Sequence, residues 1–484
     1  MPDLVSPRVI NLNEKTIWIL TEERPRAYAI KQILQIVDSK FSLATFKSIN
    51  HEKLKIKPNI IDGKFKFEYK VEDTGLPIII KTIKGNQGSF VDYLVFITKK
   101  FPKPNDVPVI AIEETKTTQA ESRNTSVYQR LTKFVFLDLF ENYRSCTKVM
   151  MYSFKKPPTP NTSPTFVFGI KLMKTLDIQI VGLYVNDSKF ERFNSLKEMI
   201  DAKNNIKKRK GNVSVNVRKH QDTVMISAKL EKCKMFAHDP NMGLVTAMSK
   251  ASRLLDSTIK KIIVVDHGLT QNMVGSTKNK FNKIATALNI RYQGLRFTYT
   301  PIEKNSPYWI YPKRNENFVS ILFHTMLEYN GHRVIFEHHS GAEQGYLINK
   351  NNLQVSVPKK TKKPDIVFIS ESERVIYVIE AELACNVFSS KGGISQLEGF
   401  TEFINMVSSM YPTYEIKKRV ICYGDGLAHK MLLRSNDILF QLKPAGEIMV
   451  SNSCPQWISN LFNIVQKTTT LRDYGGGASR VNDS

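Results

Sequence analysis

Two parts of the chain, one near each end, repeat a single order of apolar patterns. In each part a helical pattern is followed by three short apolar runs, a second helical pattern and a last apolar run. Periods near 3.6 residues predict helices, and short apolar runs between turn residues predict strands. Helices that alternate with groups of strands favour an α/β fold with mixed sheets. The sequence therefore predicts two cores, each with the element order αβββαβ.

The first predicted core has a helix at 24–39, strands at 77–85, 89–98 and 108–116, a helix at 126–143 and a strand at 147–154. The second has a helix at 316–332, strands at 333–339, 364–370 and 374–382, a helix at 394–410 and a strand at 417–424. The first helix of the second core is closed by Asn330 and Gly331, a common signal for a helix C-terminus. Little residue-level identity links the two parts, so the repeat is one of architecture.

The length of 484 residues is too great for one hydrophobic core, which favours two to four domains. We predict an N-terminal core at 1–155 and a C-terminal core at 311–466. The segment 156–310 has mixed strand and helix patterns, and it either forms a separate recognition segment or partly extends the first core. Residues 467–484 are rich in Gly and Ser and are expected to form a flexible tail.

The charge balance points to a polyanionic partner. The chain has 70 Lys and Arg against 45 Asp and Glu, a formal charge of +25. Basic proteins bind nucleic acid because each neutralised phosphate releases condensed counterions. A basic hairpin in the middle segment is a candidate DNA-facing element, with a solvated loop as an equal alternative; its candidates are Lys207, Lys208, Arg209, Lys210, Arg218 and Lys219.

The cysteines and the apolar runs predict a cytoplasmic protein without a membrane segment. The five cysteines are widely spaced, odd in number and form no CxxC motif, so neither a disulfide framework nor a zinc knuckle is indicated. The first 20 residues mix charges with apolar residues and do not resemble a signal peptide. No apolar run approaches the roughly 18 residues that a membrane span needs.

Three carboxylates lie at the margins of the strands of the second core. Asp365 begins one strand, and Glu380 and Glu382 share one face of the next because side chains alternate along a strand. Three ionised carboxylates at one sheet edge repel each other unless a divalent cation such as Mg²⁺ or Mn²⁺ lies among them. The alternative is a pair of surface residues at a strand end that are solvated or paired with lysines.

A similar group occurs in the first core. Asp92 lies in one strand, and Glu114 and Lys116 share a face at the end of the next. A lysine beside a metal site can orient or deprotonate the attacking water, or stabilise charge on phosphorus. Glu113 is expected on the opposite face, in a structural role. The alternative is again an ordinary solvated strand end.

These residues resemble the motif of the PD-(D/E)XK nuclease superfamily, with "PD" at 364–365 and "EAE" at 380–382, and "VD" at 91–92 and "EETK" at 113–116. The likeness is greatest to type II restriction endonucleases, in particular the type IIS enzymes that carry two nuclease domains in one chain. Two positions depart from the family pattern: Val91 stands where Pro is frequent, and Glu382 stands where Lys is usual.

The resemblance implies a Mg²⁺-dependent hydrolase, with Mn²⁺ as a substitute, that cuts phosphodiester bonds in double-stranded DNA at specific sequences. The implied metal ligands are Asp92, Glu114, Asp365 and Glu380, and the implied catalytic set adds Lys116 and Glu382. A monomer would cut each strand with a different site, and a separate DNA methyltransferase would be its partner. The alternatives are a homodimer with a single live site per chain and a non-catalytic, basic DNA-binding protein.

Two further groups of residues are less specific. Gln129 and Gln396 lie in the helices that follow the two motifs, where each either approaches its site or belongs to a polar helix surface. The spacing of four histidines fits no metal-ligand template, and we interpret them as structural or phosphate-facing; they are His324, His332, His338 and His339.

Overall fold

A computed structural model describes most of the chain: residues 15–22, 24–41, 54–72, 74, 76–85, 91–103, 105–115, 120–138, 140–152, 163–206, 214–230, 240–274, 280–296, 309–310, 316–338, 345–358 and 360–462. Within these ranges the protein is mixed α/β, with 12 α-helices and several mixed sheets. The predicted α/β class with mixed sheets is therefore confirmed. No helix in the described ranges is long and apolar enough to cross a bilayer.

The α-helices are α1 (Ala27–Phe41), α2 (Ala120–Leu137), α3 (Pro164–Thr175), α4 (Leu196–Asn204), α5 (Pro240–Leu255), α6 (Gln271–Val274), α7 (Lys280–Ala287), α8 (Glu316–Tyr329), α9 (Gly393–Glu398), α10 (Thr401–Met410), α11 (His429–Arg434) and α12 (Gln456–Leu461). The strands are β1 (Thr16–Thr21), β2 (Ile56–Ile61), β3 (Lys64–Val71), β4 (Ile78–Thr82), β5 (Lys84–Gly85), β6 (Tyr93–Thr98), β7 (Ile110–Thr115), β8 (Thr147–Tyr152), β9 (Ile178–Val181), β10 (Val215–His220), β11 (Thr223–Ala228), β12 (Lys261–Val265), β13 (Ile290–Tyr292), β14 (Trp309–Ile310), β15 (Arg333–Glu337), β16 (Tyr346–Ile348), β17 (Gln354–Ser356), β18 (Ile366–Ser370), β19 (Val375–Leu383), β20 (Glu415–Tyr423), β21 (Ile438–Leu442) and β22 (Ile448–Val450).

The chain forms two compact units, and both are discontinuous in sequence. The first contains Met1–Glu22, Tyr28–Ala44 and Ile83–Tyr311, and the second contains Glu23–Ala27, Thr45–Thr82 and Pro312–Ser484. Residues 45–82 thus group by contact with the C-terminal part of the chain. The assignment of nuclease and recognition roles to separate segments stays a prediction.

The first unit contains a run of strands in the order β1, β6, β7, β8 and β9. β1, β6 and β7 pair antiparallel, and β8 and β9 then add in parallel. The strand predicted at 77–85 is present as β4 and β5, and the strand beside β6 is β1, for which no strand was predicted. All but the first residue of β1 are buried, which explains why this short run shows no alternation of apolar and polar residues.

Two helices of the first unit approach each other closely. A Cβ atom at Gly243 of α5 would lie 1.8 Å from the carbonyl oxygen of Tyr128 in α2, so only glycine fits there. Helix α5 also contacts β10 and β11 of a separate four-stranded sheet with the order β10, β11, β12 and β13. In that sheet β10 and β11 are antiparallel, and β12 and β13 follow in parallel.

The second unit contains a six-stranded sheet in the order β15, β18, β19, β20, β21 and β22. Helix α8 precedes β15 in the chain, the hairpin of β16 and β17 lies between β15 and β18, and α9 and α10 lie between β19 and β20. β15, β18 and β19 are antiparallel, whereas β20 lies parallel to β19. α8 ends at Tyr329, and Gly331 adopts a φ of +79°, so the predicted helix end is confirmed.

The same unit includes an antiparallel meander of β2, β3 and β4, in which β4 coincides with a predicted strand and β2 and β3 were not predicted. Phe67 of β3 makes edge contacts with Phe318 of α8 and Tyr423 of β20, with ring centroids 5.7 and 6.4 Å apart. The amide of Phe65 donates to the carbonyl of Gly446 at 2.8 Å, and a Cβ atom at Gly446 would lie 2.0 Å from the Phe65 carbonyl oxygen. The meander therefore belongs to the core of this unit.

Candidate active sites

The C-terminal cluster consists of Asp365, Glu380, Glu382 and Glu316. Ile366 pairs with Ile379 across β18 and β19, so Asp365, one residue earlier, lies opposite Glu380. The amide of Ala381 donates to Asp365 Oδ2 at 2.8 Å, and the Asp365 amide donates to the Ile379 carbonyl at 3.0 Å. The structure thus brings together the two predicted residues Asp365 and Glu380, as expected for adjacent antiparallel strands.

The Glu380 side chain is only 8% exposed. Its Oε2 atom is buried and has no hydrogen-bond partner within the described part of the chain. A buried carboxylate oxygen without a partner is costly, because it has lost its water and gained nothing in exchange. This oxygen marks a position where a cation or an ordered water would be favourable.

Glu382 shares the face of Glu380 but is held by a neighbouring side chain. Gln396 of α9 donates through Nε2 to Glu382 Oε2 at 3.1 Å, and the Leu383 amide donates to Glu382 Oε1 at 2.8 Å. Gln396 therefore approaches the cluster, which decides between its two sequence-based interpretations. The sequence reasoning missed Glu316, the acidic residue in the first turn of α8, whose charge acts on this cluster.

The carboxylates of this cluster are hard to ionise together. Burial and then the charges of Asp365, Glu382 and Glu316 raise the pKa of Glu380 far above its ordinary value. Burial is also the main cause that raises the pKa of Asp365 and of Glu382. No Lys or Arg in the described ranges forms an ion pair with any of the four carboxylates. The cluster is therefore an acidic site without a protein counter-ion among those residues.

The N-terminal cluster consists of Asp92, Glu113, Arg130 and Lys133. Tyr93 pairs with Ile112 across β6 and β7, which places Asp92 opposite Glu113. Lys133 Nζ of α2 lies 2.7 Å from Glu113 Oε1 and 3.9 Å from Asp92 Oδ1. Arg130 Nε lies 3.6 Å from the same Glu113 oxygen. Two cations thus face two carboxylates.

The faces of the two adjacent glutamates are the reverse of the prediction. Glu114 accepts a hydrogen bond from the Tyr93 hydroxyl at 3.0 Å, on the face that Tyr93 shares with Ile112. Glu113, expected to be structural and to point away, lies with Asp92 beside Lys133. Residues directly opposite each other on antiparallel strands share a face, and the register places Glu113 opposite Asp92. Lys116 lies outside the described residues.

The two clusters share a hydrogen-bond pattern. In each, the Asp accepts from the amide that follows the opposing Glu: Glu114 N to Asp92 Oδ2 at 2.6 Å and Ala381 N to Asp365 Oδ2 at 2.8 Å. In each, that Glu has a buried Oε2 without a described partner. Glu113 is therefore the counterpart of Glu380. The sequence spacing agrees with this correspondence: Gln129 follows Glu113 by sixteen residues (129 − 113), and Gln396 follows Glu380 by sixteen residues (396 − 380).

The counter-ions distinguish the clusters. Burial lowers the pKa of the Lys133 ammonium, but the carboxylates of Glu113 and Asp92 outweigh burial and raise that pKa above its ordinary value. Lys133 is therefore charged at neutral pH and neutralises the N-terminal cluster. The sequence reasoning missed it because Lys133 lies in a helix, twenty residues after Glu113 (133 − 113).

Both clusters offer oxygen ligands, the donors that Mg²⁺ and Mn²⁺ prefer. No group of three His, Cys, Asp or Glu side chains in the described ranges is arranged as a ready metal site. Glu382, held by Gln396, would have to turn to join Asp365 and Glu380. The orphan oxygen of Glu380 and the lack of a described counter-ion make the C-terminal cluster fit a hard divalent cation.

The basic hairpin is β10 and β11, and only part of it is described. Lys207 to Lys210 lie outside the described residues. Arg218 is exposed and pairs in register with Met225, which is 39% exposed. Lys219 points to the other face of the sheet, where Nζ donates to Asp256 Oδ2 at 2.6 Å. Met225 pairs in turn with Ile263, and Ile263 pairs with Arg291. These residues form one row across the four strands, with Arg218 and Arg291 at its two ends.

An additional ionic network lies in the second unit. Arg24, which is buried, contacts both Glu328 of α8 and Glu337 of β15, the latter at 2.7 Å. His324 Nδ1 lies 3.1 Å from the same Glu337 oxygen. These contacts fit the structural interpretation of His324, since they tie α8 and β15 to the segment that carries Arg24.

No protein-family model, curated protein or solved structure matches this chain. The clusters are the two places in the described ranges where an Asp and an opposing Glu with a buried, unpartnered oxygen recur in one hydrogen-bond pattern.

Proposed function

We propose that this protein is a Mg²⁺-dependent endonuclease that hydrolyses double-stranded DNA with two unlike centres, one in each unit. The carrying observation is the recurrence of one Asp–Glu geometry, with its orphan carboxylate oxygen, in two sheets of the same chain. The finer proposal is a type II restriction endonuclease of the type IIS kind, in which each centre cuts one strand of a specific site. A separate DNA methyltransferase would then protect the host DNA.

The topology around both clusters supports the proposal. In each unit two antiparallel strands carry the Asp and the Glu, and the next strand, reached through a helical connection, adds in parallel. In the second unit the chain runs through α8, β15, β18, β19, then α9 and α10, then β20, with the hairpin of β16 and β17 inserted between β15 and β18. Apart from that hairpin, the order is similar to the αβββαβ order that the resemblance to PD-(D/E)XK nucleases implies.

The residues of the C-terminal cluster would hold a cation through Asp365 and Glu380, with Glu382 joining once Gln396 releases it. When bound, a divalent cation lowers the pKa of a bound water and stabilises charge on a phosphodiester. The Ala381 amide keeps one Asp365 oxygen in place, which leaves the other oxygen for the site. Glu380 contributes its unpartnered Oε2.

In the N-terminal cluster the corresponding ligands are Asp92 and Glu113, in place of the predicted pair Asp92 and Glu114. Lys133 brings an ammonium group to the same position. A fixed ammonium can hold a phosphate oxygen or stabilise the charge that develops during hydrolysis. Lys133 would thus stabilise charge on the phosphate, the role that the sequence resemblance assigned to Lys116.

DNA binding is proposed for the exposed row of the four-stranded sheet. Arg218 and Arg291 lie at its two ends, with Met225 and Ile263 between them. Strands can present side chains to DNA as helices do, and arginines bind phosphates or base edges. Lys219 is a weaker candidate, because its ammonium is paired with Asp256.

A plasmid assay with matched variants tests the proposal. Supercoiled plasmid and Mg²⁺ are incubated with the wild type, Glu380→Gln, Glu113→Gln and the double variant, with Glu447→Gln as a control at an exposed position. We expect linear product from the wild type and the control, nicked circles from each single variant and no cleavage from the double variant. End mapping of the nicks should assign opposite strands to the two single variants.

Two other outcomes would replace the proposal. Complete loss from one single variant and no effect from the other would favour a homodimer with one live site per chain, a candidate supported by the different counter-ions of the clusters. Intact DNA after incubation of varied duplexes with Mg²⁺, together with a gel shift, would favour a non-catalytic DNA-binding protein.

A further inference from the structure

We propose that Lys133 is a built-in cation that occupies the place of a metal ion in the N-terminal cluster, so that in the absence of DNA only the C-terminal cluster binds a divalent cation tightly. The inference deepens the proposed function, and it rests on that function only in treating Mg²⁺ or Mn²⁺ as the relevant ion. It concerns binding, which can be measured without any cleavage.

The position of the Lys133 ammonium carries the first step. Nζ lies within 2.7 Å of a Glu113 oxygen and 3.9 Å of an Asp92 oxygen, the two side chains that would supply metal ligands. A divalent ion that contacts both carboxylates would have to share this space with a positive charge. Since like charges repel, entry of the ion requires displacement of the ammonium or a compensating anion.

The second step is the burial of the pair. Glu113 is 3% exposed and Lys133 is 19% exposed at the side chain, so water screens their attraction only weakly. Arg130 adds a second cation 3.6 Å from the same carboxylate oxygen. Breaking a buried ion pair is costly because it leaves charges unpaired away from water. The N-terminal cluster is therefore closed to free metal ions.

The C-terminal cluster has the opposite character. Its four carboxylates, Asp365, Glu380, Glu382 and Glu316, form no ion pair with a described Lys or Arg. Lys133 lies twenty residues after Glu113 in the chain. The residue twenty positions after Glu380 is Phe400, which is apolar and brings no charge. The neutral Gln396 is the polar group that its helix brings to the cluster. A divalent cation is the missing counter-charge here.

The experiment measures binding of Mn²⁺ alone to the full chain without DNA, by loss of the free-ion electron paramagnetic resonance signal and by calorimetry. The wild type should bind one Mn²⁺ per chain tightly. Any second ion should bind with an affinity lower by about a hundredfold or more, because the Lys133 ammonium, a few ångströms from the N-terminal carboxylates, repels it. Glu380→Gln should remove the tight site, whereas its counterpart Glu113→Gln should leave that site unchanged.

Neutralising Lys133 should open the other cluster. Lys133→Gln keeps a polar group of similar length, and we expect it to raise the number of tight Mn²⁺ sites from one to two. Lys171→Gln is the matched control: it removes a half-buried lysine of the same unit that pairs with Glu198 at 2.9 Å, and it should leave one site. Circular dichroism would show that each variant is folded.

Three results would overturn the inference: two tight sites in the wild type, loss of the tight site in Glu113→Gln, or a folded Lys133→Gln with one site. If Lys133→Gln does not fold, the comparison of Glu380→Gln with Glu113→Gln decides alone. Failure of the proposed nuclease is recognised separately, because uncleaved plasmid would leave these binding results as they are. Conversely, cleavage by a chain with two equal sites would refute only the inference.

Discussion

Replacing Glu380 by Gln should stabilise the metal-free protein at neutral pH. Burial and neighbouring carboxylates raise the pKa of Glu380 to about 10 from an ordinary 4.5. At pH 7.5 this carboxyl stays protonated in the folded state but ionises on unfolding, which costs folding roughly 4 kcal/mol at about 1.4 kcal/mol per pH unit. A protonated Glu and a Gln have nearly the same shape, so the packing terms cancel.

The gain should depend on pH with a definite sign. A carboxyl whose folded pKa is raised contributes most below its unfolded pKa of about 4.5 and destabilises the fold as pH rises toward the folded pKa. The variant should therefore exceed the wild type in unfolding free energy by about 2–4 kcal/mol at pH 7.5 and by less than about 1 kcal/mol at pH 5. Reorganisation around the site sets the lower end of the first range.

Hydrogen exchange measured by mass spectrometry is the suitable assay, because the chain has two units and a single global transition is not assured. Peptides that cover β18 and β19 report the opening free energy of the second unit in buffer with chelator. Glu447→Gln is the control: this exposed carboxylate lies 3.5 Å from Lys64, and its loss should change the opening free energy by less than about 0.5 kcal/mol.

Two results would refute the reasoning. A Glu380→Gln protein that is less protected than the wild type at pH 7.5 would mean that ionised Glu380 is stabilised by an interaction that the described residues do not provide. A gain of the same size at pH 5 and pH 7.5 would mean that the effect is one of packing and does not arise from protonation.

The remaining predictions concern packing, charge and DNA. Arg24→Met should lower the opening free energy of the second unit by about 3 kcal/mol in hydrogen exchange, because it takes the buried guanidinium away from Glu328 and Glu337; unchanged protection would contradict this. Gly243→Ala should cost about 3 kcal/mol or prevent folding of the first unit, since its Cβ would overlap the Tyr128 carbonyl, and a thermal shift under 2 °C would be inconsistent with that contact. Arg218→Ala and Arg291→Ala should each lower the salt slope of DNA binding by about 1, and unchanged slopes would exclude this row from the interface.

The C-terminal cluster could be predicted from the sequence because its strand pair is short and tight. Only residues 371–374 separate β18 from β19, so the turn fixes the register and places Asp365 opposite Glu380. The period of two then puts Glu382 on the same face. Local geometry is enough for such a site.

The N-terminal cluster could not be predicted in the same way. Residues 99–109 connect β6 to β7, and a loop of that length leaves the register free. With Glu113 and Glu114 adjacent, a shift of one residue in the register exchanges the two faces, so the period of two alone does not tell which glutamate lies beside Asp92. The sixteen-residue spacing to Gln129 and Gln396 is the signal that would have found Glu113.

Contacts that depend on distant parts of the chain were also beyond the sequence. β1 has six residues, four of them apolar, and nothing local shows that it lies beside β6. The meander of β2, β3 and β4 joins the second unit through contacts such as Phe65 with Gly446, some 380 residues apart (446 − 65 = 381). Such pairings are decided by the packing of the whole unit.

Glu382 stands at the position where the family resemblance would place Lys. The residue two positions after Glu113 is Thr115, and the residue two positions after Glu380 is Glu382. Neither strand therefore supplies an ammonium group at this position. The first cluster obtains one from α2 through Lys133, and the second obtains none from the described residues. Glu382→Lys should therefore give the C-terminal cluster the charge balance of the N-terminal one.

We expect Glu382→Lys to weaken Mn²⁺ binding at the tight site by at least about tenfold, because it replaces a carboxylate that attracts the ion with an ammonium group that repels it. The same variant should gain protection of β19 in chelator, since the new ammonium neutralises carboxylates that have no Lys or Arg counter-ion among the described residues. Glu382→Gln separates the two causes: it removes the carboxylate without adding the ammonium, and it should weaken Mn²⁺ less and protect β19 less. Equal effects of Lys and Gln would show that the ammonium adds nothing, and the account of Lys133 as a substitute for a metal ion would then fail in the first cluster as well.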